Sequence, residues 1–191
     1  MMWAIMSPLK SIFIIVLTTI LTGCAFLQTS KSGRNNNDPF RSNGFKIDLP
    51  KSVSSVKDAT FFYSNVDGRG KSYIWENTQD YTYMVSVYNL DNGKVSLTEN
   101  DKTNILKEYK ASILVPLKSN NITFTEKKYV FNGNEGIEIQ ATNPKGNSKM
   151  VSRFFTVNKR FYYIGLTYNP KTIDDSEIYQ IADSFALLDS Q

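Results

Sequence analysis

The residue with the most distinctive chemistry is Cys24, the only cysteine in a chain of 191 residues that has no histidine. A single thiol cannot form a disulfide within the chain or build a thiolate metal cluster. Without histidine, the chain lacks the commonest general base, the commonest metal ligand and the usual partner of a catalytic serine. The sequence therefore predicts a protein that is not an enzyme and holds no metal or other cofactor. It directs attention to modification of Cys24.

An apolar segment leads up to this cysteine. Lys10 precedes an uncharged run over residues 11–22. The run is shorter than the roughly 20 residues of a membrane-spanning helix, and it has the length of the apolar region of a secretory signal. Residues 1–23 are therefore predicted to be a removed export signal. Cleavage by an ordinary signal peptidase after Ala25 and an uncleaved signal anchor are the alternatives.

The segment Leu21-Thr22-Gly23-Cys24 resembles the lipobox of bacterial lipoproteins. The resemblance implies that a diacylglyceryl group is attached to the Cys24 thiol, that cleavage separates Gly23 from Cys24, and that the new amine is open to acylation. Two or more acyl chains, such as palmitate, hold a protein stably on a membrane. The predicted localisation is therefore the cell envelope. Because Asp after the cysteine tends to retain enteric lipoproteins in the inner membrane, Ala25 favours the outer membrane if the host is Gram-negative.

Composition divides the rest of the chain into two parts. Residues 24–43 combine the lipidated cysteine with a stretch rich in Ser, Asn, Gly and charge, which cannot bury enough apolar area to order itself. They are predicted to be a flexible tether, and an ordered strand around Phe40 is the alternative. Residues 44–191 have the size of a single domain.

Hydrophobic periodicity predicts an α+β domain, with a largely antiparallel sheet covered by two amphipathic helices. The predicted strands are 45–49, 59–65, 71–76, 81–90, 122–131, 135–142, 149–157 and 161–168, and the predicted helices are 98–118 and 174–188. Thr98 is a suitable helix N-cap, and Pro116 is expected to stop or kink the first helix near its end.

The order of these elements resembles the PsbP-like group of α/β/α sandwiches. The resemblance rests on the opening segment GFKIDLP, on the hairpin RFFTVNKRFYYIGLTY and on the closing segment IADSFALL. The group includes extrinsic photosystem II proteins, a fungal Ran-binding protein and many bacterial lipoproteins, so the resemblance implies a non-catalytic accessory domain. Photosynthetic members often use histidine and acidic residues for metal contacts. This chain has no histidine, so no metal-binding residue is carried over.

Two polar segments have an ordinary structural interpretation beside a functional one. Asp174, Asp175 and Glu177 are candidates for a hard-cation site, but they lack the glycine-containing loop of a calcium site and suit the start of a helix. Residues 67–70 (Asp-Gly-Arg-Gly) resemble a phosphate-binding loop superficially, but they lack its strand-to-helix context and suit a hairpin turn.

Hydroxyl-bearing side chains are the remaining candidates. A serine nucleophile would need a lysine base here, and no spacing around Ser64, Ser86 or Ser152 supports one. Six strand tyrosines are predicted to divide between a core-facing side and a side that is open to a partner or glycan. They are Tyr81, Tyr83, Tyr88, Tyr162, Tyr163 and Tyr168.

The charge pattern bears on partners. The net charge is +4, and Lys and Arg are scattered among Asp and Glu rather than clustered in a basic stripe, so nucleic acid is not expected. The expected partners are the membrane, through the lipid anchor, and an envelope protein that the domain assists or helps to assemble. The alternative function is a lipoprotein that binds a small ligand or glycan in a cleft between sheet and helix.

Overall fold

The computed structural model describes residues 26–28, 39–42, 44–50, 57–63, 68–77, 80–90 and 98–188. The strands in these ranges are β1 (Phe26–Gln28), β2 (Phe40–Ser42), β3 (Phe45–Ile47), β4 (Lys57–Tyr63), β5 (Gly68–Asn77), β6 (Tyr81–Asn89), β7 (Thr123–Phe131), β8 (Asn134–Asn143), β9 (Ser148–Val157), β10 (Arg160–Tyr168) and β11 (Ala186–Leu187). The helices are α1 (Glu99–Ser119) and α2 (Asp175–Asp183).

Two antiparallel sheets account for these strands. The large sheet has eight strands in the order β1-β4-β5-β6-β10-β9-β8-β7, and the small sheet has three in the order β11-β3-β2. Every neighbouring pair of strands is antiparallel. Most strands follow one another through short turns, as expected for an antiparallel meander. The predicted α+β class is confirmed.

The large sheet has a core on both faces. Alternation along β6 sends Met84 into one hydrophobic cluster and Val85 into the other. Helix α1 covers the first face with Tyr109, Ile113 and Leu117, and this face is called the α1 face below. The opposite face is covered by α2 and by the small sheet, and it is called the α2 face. The layers form an α/β/α arrangement.

Both helices begin at the caps that the sequence indicates. The Thr98 hydroxyl accepts a hydrogen bond from the Asp101 N–H, and the Asp101 carboxylate accepts one from the Thr98 N–H at 2.8 Å. This reciprocal capping box satisfies two backbone donors that a helix start leaves unpaired. Asp174 caps α2 by accepting from the Ser176 N–H at 2.7 Å. Pro116 lies within the last turn of α1, where its missing N–H removes one helical hydrogen bond, and the helix ends three residues later at Ser119.

The end of the second helix differs from the prediction of 174–188. Helix α2 ends at Asp183, and Ala186–Leu187 forms strand β11 on β3. The Ser184 hydroxyl donates to the Ile181 carbonyl at 2.7 Å and closes the last turn. The extended segment then places the Phe185 ring on Phe45, with 5.3 Å between ring centroids. A helix followed by a short strand therefore gives the same spacing of apolar residues as one longer helix, which is why the sequence predicts the helix to continue to residue 188.

The predicted tether over residues 24–43 contains ordered strands. Phe40–Ser42 pairs with β3, and Phe26–Gln28 pairs with β4. The Phe40 ring packs edge-on against Trp75, with 4.9 Å between centroids, which explains why a mainly polar stretch is ordered there. The structure therefore has the alternative strand around Phe40, as part of the small sheet. The remainder of the predicted tether and residues 1–23 lie outside the described residues.

Candidate functional site

A buried ion pair lies on the α2 face of the sheet. The Arg153 side chain extends from β9, and its Nε donates to Glu138 Oε2 on β8 at 2.8 Å. Arg153 and Glu138 are 5% and 6% exposed, so both charges have left water. Arg153 Nη1 also donates to Asp183 Oδ1 at 2.5 Å. Because removing charge from water is costly, these hydrogen bonds are required to hold the group in place. They link β8, β9 and the C-terminal end of α2.

Aromatic and polar side chains surround the guanidinium group. Its central carbon lies 4.7 Å from the centroid of the Tyr129 ring and 5.7 Å from that of Tyr179, within cation–π range. Both tyrosines are half-buried. The Gln140 amide donates to Glu138 Oε1 at 2.6 Å, and Lys127 Nζ lies 3.9 Å from the same oxygen. The Arg153 cluster is defined as Lys127, Tyr129, Glu138, Gln140, Arg153, Tyr179 and Asp183.

The electrostatics of the Arg153 cluster keep its charges fixed. Burial lowers the pKa of Arg153, but its hydrogen bonds to Glu138 and Asp183 outweigh burial and hold that pKa above its usual value. Burial raises the pKa of Tyr129, although the Arg153 charge opposes the shift. Burial also raises the pKa of Tyr179. The arginine therefore stays charged and both phenols stay protonated near neutral pH. This arrangement suits positioning and recognition better than proton transfer.

Sequence reasoning missed this cluster, although a signal was present. Glu138 lies between Ile137 and Ile139 in β8, and Arg153 lies between Val151 and Phe155 on one face of β9. The two charged residues face each other directly in the β8–β9 register. Charged residues are rarely fully buried unless they are paired. A charge of each sign inside adjacent apolar strands therefore indicates a buried pair, provided that the register of the strands is known.

The six strand tyrosines do not form an open face. Each is at most 7% exposed, because α1 covers one side of the sheet while α2 and the small sheet cover the other. Tyr83 packs in the cluster of the α2 face and Tyr88 in that of the α1 face. The prediction that one tyrosine face is open to a partner or glycan is wrong. Burial raises the pKa of Tyr163 to about 12, as expected for a core phenol.

The acidic segment is the start of a helix, as predicted. Asp174 is the N-cap of α2, and Asp175 accepts hydrogen bonds from Lys149 Nζ at 2.6 Å and from the Tyr168 hydroxyl at 2.8 Å. These two hydrogen bonds lower the pKa of Asp175. In the part of the chain that the structure describes, no three acidic or cysteine side chains converge as metal ligands.

The other predicted candidates take structural positions. The Ser86 hydroxyl is hydrogen-bonded to that of Ser72 at 2.5 Å, and the Ser152 hydroxyl to that of Tyr163 at 3.2 Å. The predicted turn at residues 67–70 is wrong in position, because Gly68 to Gly70 belong to β5, which pairs with β4 in the predicted hairpin. Asp67 and Ser64 lie outside the described residues, as do the lipidation residue Cys24 and the cleavage residue Gly23.

A cleft of about 460 Å³ lies between α1 and β8. Its lining includes Lys102, Lys107 and Lys110 from the helix, together with Glu135 and Thr156 from the sheet. Lys102 is paired with Glu99 at 2.7 Å, and Lys110 is paired with Glu126 at 2.9 Å. The volume lies within the range of small-molecule sites, although the lining is more charged than is usual for them.

Comparisons with known proteins find similarity to solved structures but no match in sequence. No protein-family model matches the chain, and no curated protein sequence matches it. Among solved structures, the chain is similar to the solution structure of cyanobacterial PsbP (CyanoP) from Synechocystis sp. PCC 6803. The TM-score is 0.46 and the identity 11%, over 87% of this chain and 95% of that one. None of the neighbour's residues is transferred to this chain. Neither helix in the described ranges is long and apolar enough to cross a membrane.

Proposed function

We propose that the protein is a cell-envelope lipoprotein, anchored through lipid on Cys24, whose domain binds another envelope protein as a non-catalytic accessory or assembly factor. The observation that carries the proposal is the segment Leu21-Thr22-Gly23-Cys24 at the end of an apolar export signal. A lone thiol that is consumed in a thioether needs no disulfide partner, which accords with a single cysteine in an exported chain. Because Ala25 follows the cysteine, we propose the outer membrane if the host is Gram-negative.

The Arg153 cluster supports the binding part of the proposal. Tyrosine and arginine are enriched among the residues that contribute most to protein–protein binding. Here two half-buried tyrosine rings flank a guanidinium group whose charge is already compensated by Glu138 and Asp183. A partner would therefore meet pre-positioned aromatic side chains at little cost in side-chain entropy. We propose that the envelope partner contacts the domain at Tyr129 and Tyr179.

The anchor is tested by the intact mass of the protein extracted from membranes, beside a Cys24→Ala variant. We expect a mature chain that begins at Cys24 and carries added acyl mass. The variant should lack that mass and should leave the membrane fraction. An unmodified wild-type chain, or one cut after Ala25, would contradict the lipid anchor.

The partner is tested by site-specific photo-crosslinking in intact envelopes. A photoreactive residue at Tyr179 should yield a discrete adduct with one envelope protein. The same residue at Glu108, which is exposed on α1, should not yield that adduct. A Tyr129→Ala substitution should reduce the adduct at position 179. Equal labelling from positions 179 and 108 would show that the contacts are nonspecific and would count against a partner at the cluster.

A second candidate function is binding of a small ligand or glycan in the cleft between α1 and β8. It is favoured by the volume of about 460 Å³ and by Lys107 in the lining, which suits an anionic group, whereas Lys102 and Lys110 are already paired with glutamates. A ligand at a concentration 100 times its Kd stabilises its protein by about 2.7 kcal/mol. A thermal-shift screen of anionic envelope metabolites should therefore reveal it, and a Lys107→Glu variant should abolish the shift. A flat response of the wild-type protein would exclude this candidate for the compounds screened.

A further inference from the structure

Strand β7 forms one edge of the large sheet. It is nine residues long and pairs with β8 along one side, and no other strand in the described ranges pairs with it. An edge strand presents a row of backbone N–H and C=O groups that are available to another strand. Proteins usually blunt such an edge by shortening the strand, by covering it or by placing charged side chains, especially lysine, along it. In the described ranges β7 is neither short nor covered, its charged residues are Glu126, Lys127 and Lys128, and Val130 on the strand is 55% exposed.

We propose that two copies of this chain associate through β7, pairing antiparallel about a two-fold axis at Lys127. The two large sheets then form one continuous sheet. The proposal goes beyond the anchored accessory role and does not depend on the lipid. Its basis is the sequence of β7, which is self-complementary in this register.

The self-complementarity lies on the α1 face. With Lys127 opposite Lys127 of the other copy, Glu126 lies opposite Lys128, and Phe124 lies opposite Val130. Each of these contacts occurs twice because the axis is two-fold. Directly opposite residues of an antiparallel pair lie on the same face of the sheet. Residues 124, 126, 128 and 130 of one copy therefore face residues 130, 128, 126 and 124 of the other. The charges are paired, and the exposed Val130 gains an aromatic neighbour.

Other registers lose this match. A shift to the next register that keeps the same faces together places Glu126 opposite Glu126, and the shift in the other direction places Lys128 opposite Lys128. Like charges directly opposite each other are destabilising. Registers between these would place the α1 face of one copy beside the α2 face of the other. The two Lys127 side chains at the axis remain a like-charge pair, but each lies 3.9 Å from Glu138 of its own chain, which offsets the repulsion.

The charged side chains are available for this contact. Glu126 is paired with Lys110 at 2.9 Å, and Lys128 is paired with Glu135. The side chains of Glu126 and Lys128 are 39% and 66% exposed, so these are solvent-facing ion pairs that contribute little. A charge from the second copy can share or replace either partner without leaving a buried group unpaired.

A charge swap tests the proposal on the full-length chain. Two differently tagged copies are expressed together and co-isolated after detergent extraction, and wild-type copies should co-isolate. When both copies carry Glu126→Lys, the introduced lysine lies opposite Lys128. When both carry Lys128→Glu, the introduced glutamate lies opposite Glu126. Each should therefore reduce co-isolation at least about tenfold. When one copy carries Glu126→Lys and the other carries Lys128→Glu, the lysine introduced at position 126 faces the glutamate introduced at position 128, and the native Lys128 faces the native Glu126. Both contacts then join opposite charges, so co-isolation should rise above that of either variant alone.

Matched controls separate pairing from net charge. Glu108→Lys and Lys171→Glu make the same charge changes at exposed positions outside β7, and they should leave co-isolation unchanged. Retained self-association of both single variants, or failure of the mixed pair to recover, would overturn the proposal, as would absence of wild-type co-isolation. Lys127→Cys provides a second measurement, since cysteines opposite each other in adjacent strands lie within disulfide range. It should give an oxidised dimer, whereas Lys171→Cys should not, and equal yields from the two variants would contradict the register.

Discussion

The two faces of the large sheet are covered in different ways. On the α1 face, a 21-residue helix lays one apolar stripe on the sheet, and its ion pairs from Lys102 and Lys110 lie at the rim, where solvent reaches them. On the α2 face, a nine-residue helix and the small sheet together cover the large sheet, and the Arg153–Glu138 pair is buried beside the helix. The first face is sealed by apolar packing, while the second combines apolar packing with a fixed set of buried charges.

This difference concerns how each helix is positioned. An apolar stripe tolerates small shifts, because many arrangements of similar side chains bury similar areas. Buried charges tolerate only arrangements in which every partner is satisfied. Arg153 therefore fixes where the end of α2 lies on the sheet, through Asp183, and the tyrosines beside it are held in one arrangement. This fixed arrangement is the reason for placing the proposed partner contact on the α2 face.

Removing Arg153 should break the α2 face. In Arg153→Met, the Glu138 carboxylate stays buried without its main partner. We expect a loss of about 3–5 kcal/mol in the free energy of unfolding, measured by urea denaturation. Replacing both residues, as Arg153→Met with Glu138→Leu, removes both charges and should recover most of that stability. If the double variant is no more stable than Arg153→Met, the loss comes from packing and not from the unpaired carboxylate.

Ile113 tests the opposite face. It is fully buried under α1, so Ile113→Ala should leave a cavity and cost about 3 kcal/mol of unfolding free energy. Val115 on the same helix is 65% exposed, and Val115→Ala should change stability by less than about 0.5 kcal/mol. The urea midpoints of the two variants check this. Similar losses in both would show that helix propensity, rather than burial, governs the α1 face.

The two faces also differ in how far the sequence predicts them. The sequence predicts helix α1 and the pairing of most strands correctly, because a long helical period and alternating strands are local patterns. The predicted end of α2 at residue 188 is wrong, because Phe45, which lies far away in the chain, holds Phe185 in an extended segment. The ordered strand at Phe40 is stabilised by Trp75 in the same way. The Arg153 cluster depends on strand register, which periodicity alone does not provide.

The capping box at the N-terminus of α1 should contribute less to stability than the buried residues of either face. Thr98→Ala removes the hydroxyl that accepts from the Asp101 N–H and breaks the capping box. We expect a loss of about 1 kcal/mol, because an alanine cap leaves helix donors unpaired. Thr98→Ser keeps the hydroxyl and should stay within a few tenths of a kcal/mol of the wild type. A loss in Thr98→Ser equal to that in Thr98→Ala would show that the methyl group matters more than the cap.

The smallest expected effect is the acid response of Asp175 at the start of α2. Its hydrogen bonds to Lys149 and Tyr168 lower its pKa in the folded protein. Because the folded state binds the proton less readily than the unfolded chain, the stabilisation is fully present above about pH 5 and is lost as the pH falls through the folded pKa. The carboxylate is half exposed, so solvent limits the gain to less than about 1 kcal/mol. Between about pH 6 and pH 2, the free energy of unfolding should therefore change slightly less for Asp175→Asn than for the wild type. Identical pH profiles would show that Asp175 binds its proton equally well in the folded and unfolded states, and that its pair with Lys149 adds no stability to the α2 face.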